Sequence, residues 1–421
     1  MKKRLVKVLA ITAAATAMSV MPVTAEVNLE MHLDGTLDQG SVDQLKDILG
    51  VYAEETGVNV EVVVNGSDHE SIMKTRMASN DMPDFFTTHG WSTIRYNEYT
   101  MDLSGQSWVE NLDAGVKNVI TDSEGKVCTM PLTHWTYGIV FDQEVMDANG
   151  IDPYSITTWD EFYTVCDQLK ENGVTPFAYG VKDSSLGGLV EMMNSFYTID
   201  TAPYAANEEL LDGTFDFTEN TQLLEMLAEI YDRGYFNEDI FTADATVALQ
   251  YLGTGDYAFK LWGSVSDIGS LERYFPDRTY GIIPIPAVAE GGKCAYTDGE
   301  GTAIAISNNT EYPEECLAVL EYLAKPENVE AYVSVCGGLP GFTNVDMEGV
   351  KSIDAYSKSM EMYGDNVTAS NFFDREYLPN GMWNSMHEAC VEMYNNEVGT
   401  AKDYVADAAE ILQDAYETLY E

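Results

Sequence analysis

The sequence predicts an α/β fold built on a mostly parallel, helix-covered sheet. Three observations predict it. Val27–Leu33 and Val58–Val64 read as strands, the second a continuous apolar run. Between them, 38–56 has helical spacing, with Val42, Leu45, Leu49 and Tyr52 in register and Gly57 as a stop. A helix over 68–79 and a short strand over 84–87 then complete a β-α-β-α-β order, which implies parallel strands joined by helical crossovers.

The remaining elements follow the same logic. Short strands are expected over 125–131 and 137–142, then helices over 143–149 and 159–172. The second of these helices opens on Thr157-Thr158-Trp159-Asp160-Glu161, a hydroxyl cap with acids in the first turn. Helices are expected over 186–197, 221–233 and 243–252, and strands over 257–261, 280–285 and 303–307. A helix fits 313–324, and the C-terminus reads as helical over 384–395 and 400–420. Repeats, low-complexity tracts and long linkers are absent from the sequence, so its lobes must interlock through several crossings.

The chain has 421 residues and 45% hydrophobic content, enough for full cores. It carries 22 Lys and Arg against 70 Asp and Glu, a formal charge of −48. Lys2, Lys3, Arg4 and Lys7 lie in the leader, so the rest is more acidic still. Such a surface repels nucleic acid and anionic membrane. As a solubilising surface it needs no specific partner. Residues 1–25 read as a secretory signal peptide: a basic start, an apolar stretch over 5–21, and Val23-Thr24-Ala25 for cleavage. The expected location is extracytoplasmic. The first cysteine is Cys128, so no lipid-anchoring cysteine follows the apolar stretch. No later run is apolar for long enough to span a bilayer. The six cysteines include no Cys-x-x-Cys, and they read as small core residues rather than a metal or redox motif.

Catalytic signatures are missing: no G-x-S-x-G, H-E-x-x-H, Walker A, G-x-G-x-x-G or EF-hand loop. Carboxylate pairs are statistically unavoidable among 70 acids, and nothing marks one pair over another. The five histidines read as packing or hydrogen-bonding residues, and no cofactor or metal is expected. Aromatics near element ends stand out instead: Trp91, Trp135, Tyr137, Trp262 and Trp383. The clearest case is the segment from Asp81 to Trp91, where a short apolar strand runs into a Gly-Trp loop. Ligands of α/β proteins gather where strands end. Trp and Tyr present a flat apolar face with a polar edge, which suits a sugar's C–H face and hydroxyl rim. Any one of these tryptophans could equally be a core residue.

Several segments in order resemble one family. Met77-Ala-Ser-Asn-Asp-Met-Pro-Asp-Phe85, Pro131 through Phe141-Asp142, Gly150-Ile151 with Thr158-Trp-Asp-Glu-Phe162 and Gly173-Val-Thr-Pro-Phe177, Gly255-Asp-Tyr-Ala-Phe259 through Trp262-Gly263, Tyr280-Gly-Ile-Ile-Pro-Ile-Pro286, and Gly338-Leu-Pro340 follow the pattern of extracellular solute-binding proteins of carbohydrate ABC transporters, the group of maltose- and multiple-sugar-binding proteins. The resemblance spans essentially all of 28–421. It implies a two-lobed periplasmic-binding-protein-like fold of type II, with three hinge crossings near 135–141, 279–285 and 325–330. One lobe would comprise 26–138 plus 284–327, and the other 139–283 plus 328–421. A carbohydrate, most simply an oligosaccharide, would bind between the lobes of a monomeric receptor, and the closed form would dock on the membrane subunits of an ABC importer.

The same resemblance implies site residues. Trp262 and Trp383 stand where stacking aromatics are common. Trp91 and His89 follow the third strand, and Gly35 and Thr36 follow the first. Asp68, His69, Trp135, Asp298, Gly299 and Asp374 complete the expected set. Phe141-Asp142 departs from the usual Tyr-Asn-Lys crossover, and the absent lipid-anchor cysteine departs from many Gram-positive members. Two other readings remain open: a binding protein for a non-sugar solute such as a polyamine, and a secreted glycoside hydrolase.

Overall fold

The computed structural model describes residues 27–420 other than 36, 183–185, 200, 201 and 397. The expected leader therefore lies outside the described residues. Two sheets organise the rest into two lobes, and α/β layering holds in both.

The first sheet has five strands in the order Val58–Val64, Val27–Leu33, Phe85–Thr87, Ala303–Ile306, Met130–Pro131. The first three run parallel, as the β-α-β-α-β order requires, and Ala303–Ile306 enters antiparallel beside Phe85–Thr87. Helix Gln39–Thr56 covers one face. Asp38 caps it by accepting from the Ser41 amide, and Gly57 ends it at φ 79°. Its Val42, Leu45, Ile48 and Leu49 pack on Leu29, Met31 and Leu33 of strand Val27–Leu33.

The second sheet is built around the long strand Thr133–Asp142. Cys294–Glu300, Tyr257–Ser264, Tyr280–Ile283 and Leu339–Pro340 all pair with it antiparallel. Val367–Asn371 and Thr175–Phe177 close the two edges in parallel. Helix Trp159–Glu171 begins as expected: Thr158 and Glu161 form a reciprocal capping box. Its Trp159, Phe162, Cys166 and Leu169 enter the larger core of this lobe. All six cysteines are free thiols, five of them buried.

The lobe boundaries differ from the expected ones in two places. Cys294–Glu300, expected within 284–327 of the first lobe, is a strand of the second sheet. Pro326–Cys336, expected largely with the second lobe, buries Val329, Tyr332 and Val333 in the first core. The chain thus passes between sheets after Pro131, after Glu300 and after Cys336, rather than near 135–141, 279–285 and 325–330. These passages meet around Thr133. Leu132 N donates to Thr302 O (2.7 Å), Gly301 N to Thr133 O (3.1 Å), and Gly341 N to Leu132 O (3.2 Å). Thr302 N donates to Thr133 Oγ1 (2.6 Å). The neighbouring Gly301 and Gly341 admit this approach, since a Cβ on either would meet 131 or 133 at 2.3 Å.

The unusual Asp142 has a structural task at the end of the long strand. It caps helix Gln143–Ala148 through the Val145 amide and receives a two-pronged contact from Arg278, both N–O distances 2.6 Å.

Candidate functional site

A cleft of about 810 Å³ lies between the lobes, and residues of both sheets line it. Its floor and one wall are aromatic. Trp135 and Tyr137 sit two apart on Thr133–Asp142, so the period-2 pleat places both on one face. Tyr137 stacks on Trp262 with centroids 4.2 Å apart and planes 14° apart. Phe372 meets Tyr137, Trp262 and Trp135 edge-on at 5.8, 5.8 and 6.2 Å. Offset stacks and edge contacts are the favourable aromatic geometries, so these rings form one rigid surface.

Trp262 owes its place to local backbone. It lies near the end of strand Tyr257–Ser264, which follows helix Ala245–Thr254, and stands at φ 50°, a left-handed conformation for a bulky residue. Its amide donates to the Met192 sulfur at 3.4 Å. Gly188 makes room for the indole: a Cβ there would meet Trp262 Cδ1 at 2.5 Å. Gly187 does the same for Trp383, at 2.9 Å. Two successive glycines thus seat both tryptophans on helix Gly187–Met192, leaving each half-buried at the cleft.

The opposing wall comes from the turn after Phe85–Thr87. His89 stands at φ 50° and Gly90 at φ 84°, and the turn points His89 and Trp91 at the cleft. His89 meets Trp135 edge-on at 5.6 Å. Burial, followed by the nearby Arg375 guanidinium, pushes the His89 imidazole below its ordinary range, so it faces the cleft neutral. Trp91 is more buried than a free platform would be, at 6% exposure. The Arg95 guanidinium lies over its ring at 4.2 Å, and Arg375 of the other lobe at 5.6 Å. Arg95 Nη2 also donates across the cleft to Asn380 Oδ1 at 2.5 Å.

The charges of the lining are paired. Among the described residues, Asp38, Glu70, Asp267 and Asp374 are the carboxylates that line it. Their partners are Arg273 at 3.6 Å, Arg95 in direct contact, Lys260 at 2.9 Å and Arg375 at 3.9 Å. Asp374 Oδ1 and Arg375 Nε and Nη1 are buried without a hydrogen-bond partner among the described residues. Unpartnered buried polar atoms at a cleft are candidate contacts for a polar ligand. Burial pushes the Tyr137 phenol well up, so it stays a neutral donor.

Of the expected site residues, the cleft gathers Trp262, Trp383, Trp91, His89, Trp135 and Asp374. Gly35 is exposed, and a Cβ there would meet the backbone of Gly66 at 2.4 Å, so its task is a close approach of two loops. Thr36 lies outside the described residues. Asp68 is exposed beside the helix that His69 begins. His69 is buried under the cleft turn, with Nε2 3.1 Å from Thr87 O and Nδ1 3.1 Å from Asn65 Nδ2. Asp298 is buried behind the wall, accepting from Thr136 Oγ1 at 2.8 Å. Gly299 leaves space for Phe372, which a Cβ would meet at 2.2 Å. Sequence reasoning missed Phe372, Arg95, Arg375 and the Gly187-Gly188 seat. The glycine pair lies within the helix expected over 186–197, and nothing local marks it as a seat.

Comparison with known proteins places this geometry. Residues 39–330 match the pattern of the bacterial extracellular solute-binding protein family. The melibiose/raffinose/stachyose-binding protein MelE of Bacillus subtilis is 30% identical over 336 residues, covering 78% of this chain and 76% of the relative. A sugar transporter protein of Bacillus licheniformis, solved in complex with stachyose, is 28% identical with a TM-score of 0.81, covering 93% of this chain and all of its own. The putative binding protein MsmE of Bacillus subtilis, solved in an open conformation, is 26% identical with a TM-score of 0.83, covering 94% of this chain and 98% of its own.

Proposed function

This chain belongs to the bacterial extracellular solute-binding proteins, and we propose from that premise that its cleft captures a neutral oligosaccharide and delivers it to an ABC importer. Members of this family are binding proteins that work outside the cytoplasm. The observation that carries the reading is an aromatic cleft whose four lining carboxylates each have a cationic partner. A polyamine would need carboxylates left free to meet its charges. A neutral sugar needs flat apolar faces and hydrogen-bonding edges, and the cleft offers both. The names of relatives point to sugars of the melibiose, raffinose and stachyose set.

In this reading Trp262 and Trp383 stack against sugar rings, and Trp135, Tyr137 and Phe372 hold that surface flat. His89, Asp374 and Arg375 take the hydroxyls. Charge-assisted hydrogen bonds contribute about 1.5–3 kcal/mol each, so Asp374 and Arg375 carry most of the polar recognition. The lobes close about the hydrogen-bonded knot at Thr133 because the sugar contacts both walls only in the closed form. Arg95, bonded to Asn380 on the other lobe, is one bolt of that closure. The receptor acts as a monomer, and its closed form docks on the importer's membrane subunits.

A thermal melt tests this. Raffinose or stachyose at about a hundred times its Kd should stabilise the fold by about 2.7 kcal/mol. That corresponds to a Tm rise of roughly 3 °C for a chain of this length. Tryptophan fluorescence should change with it, and the sugar should be recovered intact. Release of monosaccharide would instead support the hydrolase reading.

A further inference from the structure

The cleft turn hangs from the first sheet, yet its polar anchor comes from the second. Glu300 ends the strand Cys294–Glu300 and is 2% exposed. Its carboxylate accepts from Thr88 Oγ1 (2.6 Å), the Gly90 amide (2.5 Å) and Ser92 Oγ (2.5 Å). All three donors belong to residues 88–92, the turn that carries His89 and Trp91. Glu300 is not itself part of the cleft lining. A positive φ at a residue such as His89 persists only where its surroundings over-determine it. The three bonds to one buried carboxylate supply that constraint. Its neighbour in the strand, Gly299, pairs with Trp135, the ring that His89 meets edge-on. Arg375 closes the turn from the other side, since a Cβ on Gly90 would meet its Cδ at 2.5 Å.

We infer that Glu300 is a positioning residue for ligand recognition: it ties the His89–Trp91 turn of one lobe to the aromatic strand of the other and so fixes the two walls relative to each other. This rests on the proposed reading of the cleft as a sugar site. Nothing in the geometry requires Glu300 to touch the sugar. A carboxylate suits the task because it is acceptor-only and can take three donors at once. A glutamine there would set its own N–H groups against donors and leave some of them unsatisfied.

The test uses the full chain and two readouts. Without ligand, amide hydrogen exchange at Gly90 and Trp91 should speed up at least about tenfold in Glu300→Gln, because the turn has lost its anchor. With raffinose or stachyose, the Kd should rise about tenfold or more, as the loss of one charge-assisted bond implies. In a His89→Ala/Trp91→Ala background, the same Glu300→Gln change should raise the Kd less than about twofold, since the residues it acts through are gone. Unchanged exchange in the turn would overturn the inference whether or not any sugar binds. An equal loss of affinity in both backgrounds would overturn it too. Should Glu300→Gln fail to fold, Ser92→Ala removes one donor and should shift both readouts in the same direction; no shift there would also count against it. If the unmodified protein binds no sugar but exchange still accelerates, the reading of the cleft fails while the anchoring of the turn stands.

Discussion

Replacing Trp262 with alanine should weaken oligosaccharide binding about thirtyfold or more, while the fold stays largely intact. Truncating a central aromatic anchor costs about 2 kcal/mol or more. Trp262 is half-buried at the cleft, stacked on Tyr137 and seated on Gly188. The mutation forfeits that stack, worth about 0.5–1.5 kcal/mol of folding free energy. It does not open a sealed core, where a Trp truncation costs about 3–5 kcal/mol. Affinity should therefore fall far more than stability, and Trp262→Phe, which keeps a flat face, should recover much of the binding. Calorimetric Kd values and melting curves on the same samples check this. A stability loss as large as the affinity loss would return Trp262 to an ordinary core role.

The second large effect lies away from the cleft. Arg278→Ala should destabilise the fold by about 3–5 kcal/mol, because it leaves a buried carboxylate without its counter-charge. Asp142 is fully buried, caps a helix, and receives both prongs of Arg278. Even with that guanidinium present, burial pushes the Asp142 carboxyl above its ordinary range. The sign follows from linkage. A carboxyl raised in the folded state binds its proton more tightly there, so its contribution is most favourable at low pH and is lost as pH rises through the folded value. Without Arg278 the rise is larger. The deficit of Arg278→Ala should therefore shrink as pH falls toward about 4, the ordinary range of an aspartate. An Asp142→Asn/Arg278→Ala double variant should be more stable at pH 7 than Arg278→Ala alone. Denaturant midpoints across pH measure both, and a pH-independent deficit below about 1 kcal/mol would contradict the account.

The sequence makes the first lobe legible because its local and global signals agree. Val27–Leu33 and Val58–Val64 are found with their bounds, and Gly57 stops the helix between them where only a left-handed residue fits. The second lobe is harder to read. Cys294–Glu300 carries Thr, Asp, Gly and Glu in four successive positions, which reads as a loop by propensity. It is a fully buried strand because its polar side chains find partners far away in sequence: Asp298 in Thr136, and Glu300 in the turn 88–92. The expected lobe boundaries miss for the same reason. Position at an element end makes the tryptophans candidates but does not decide between cleft and core: Trp159 opens a helix and is a core residue. Phe372, Arg95 and Arg375 give no such local sign, and only the fold brings the two arginines over Trp91.

The lining also explains how so acidic a chain can serve an uncharged ligand. Its net charge of −48 is carried largely by the surface. Among the described residues each cleft carboxylate is matched, and two of the matching cations, Arg95 and Arg375, also pack on aromatic rings. Charge that would draw cations elsewhere is spent here on holding the walls.

A calorimetric titration of the full chain with raffinose, stachyose and spermidine, at fixed ionic strength, tests the central claim most directly. The account predicts a saturable one-site heat with at least one of the sugars and none with spermidine. Heat from spermidine with none from either sugar would contradict it.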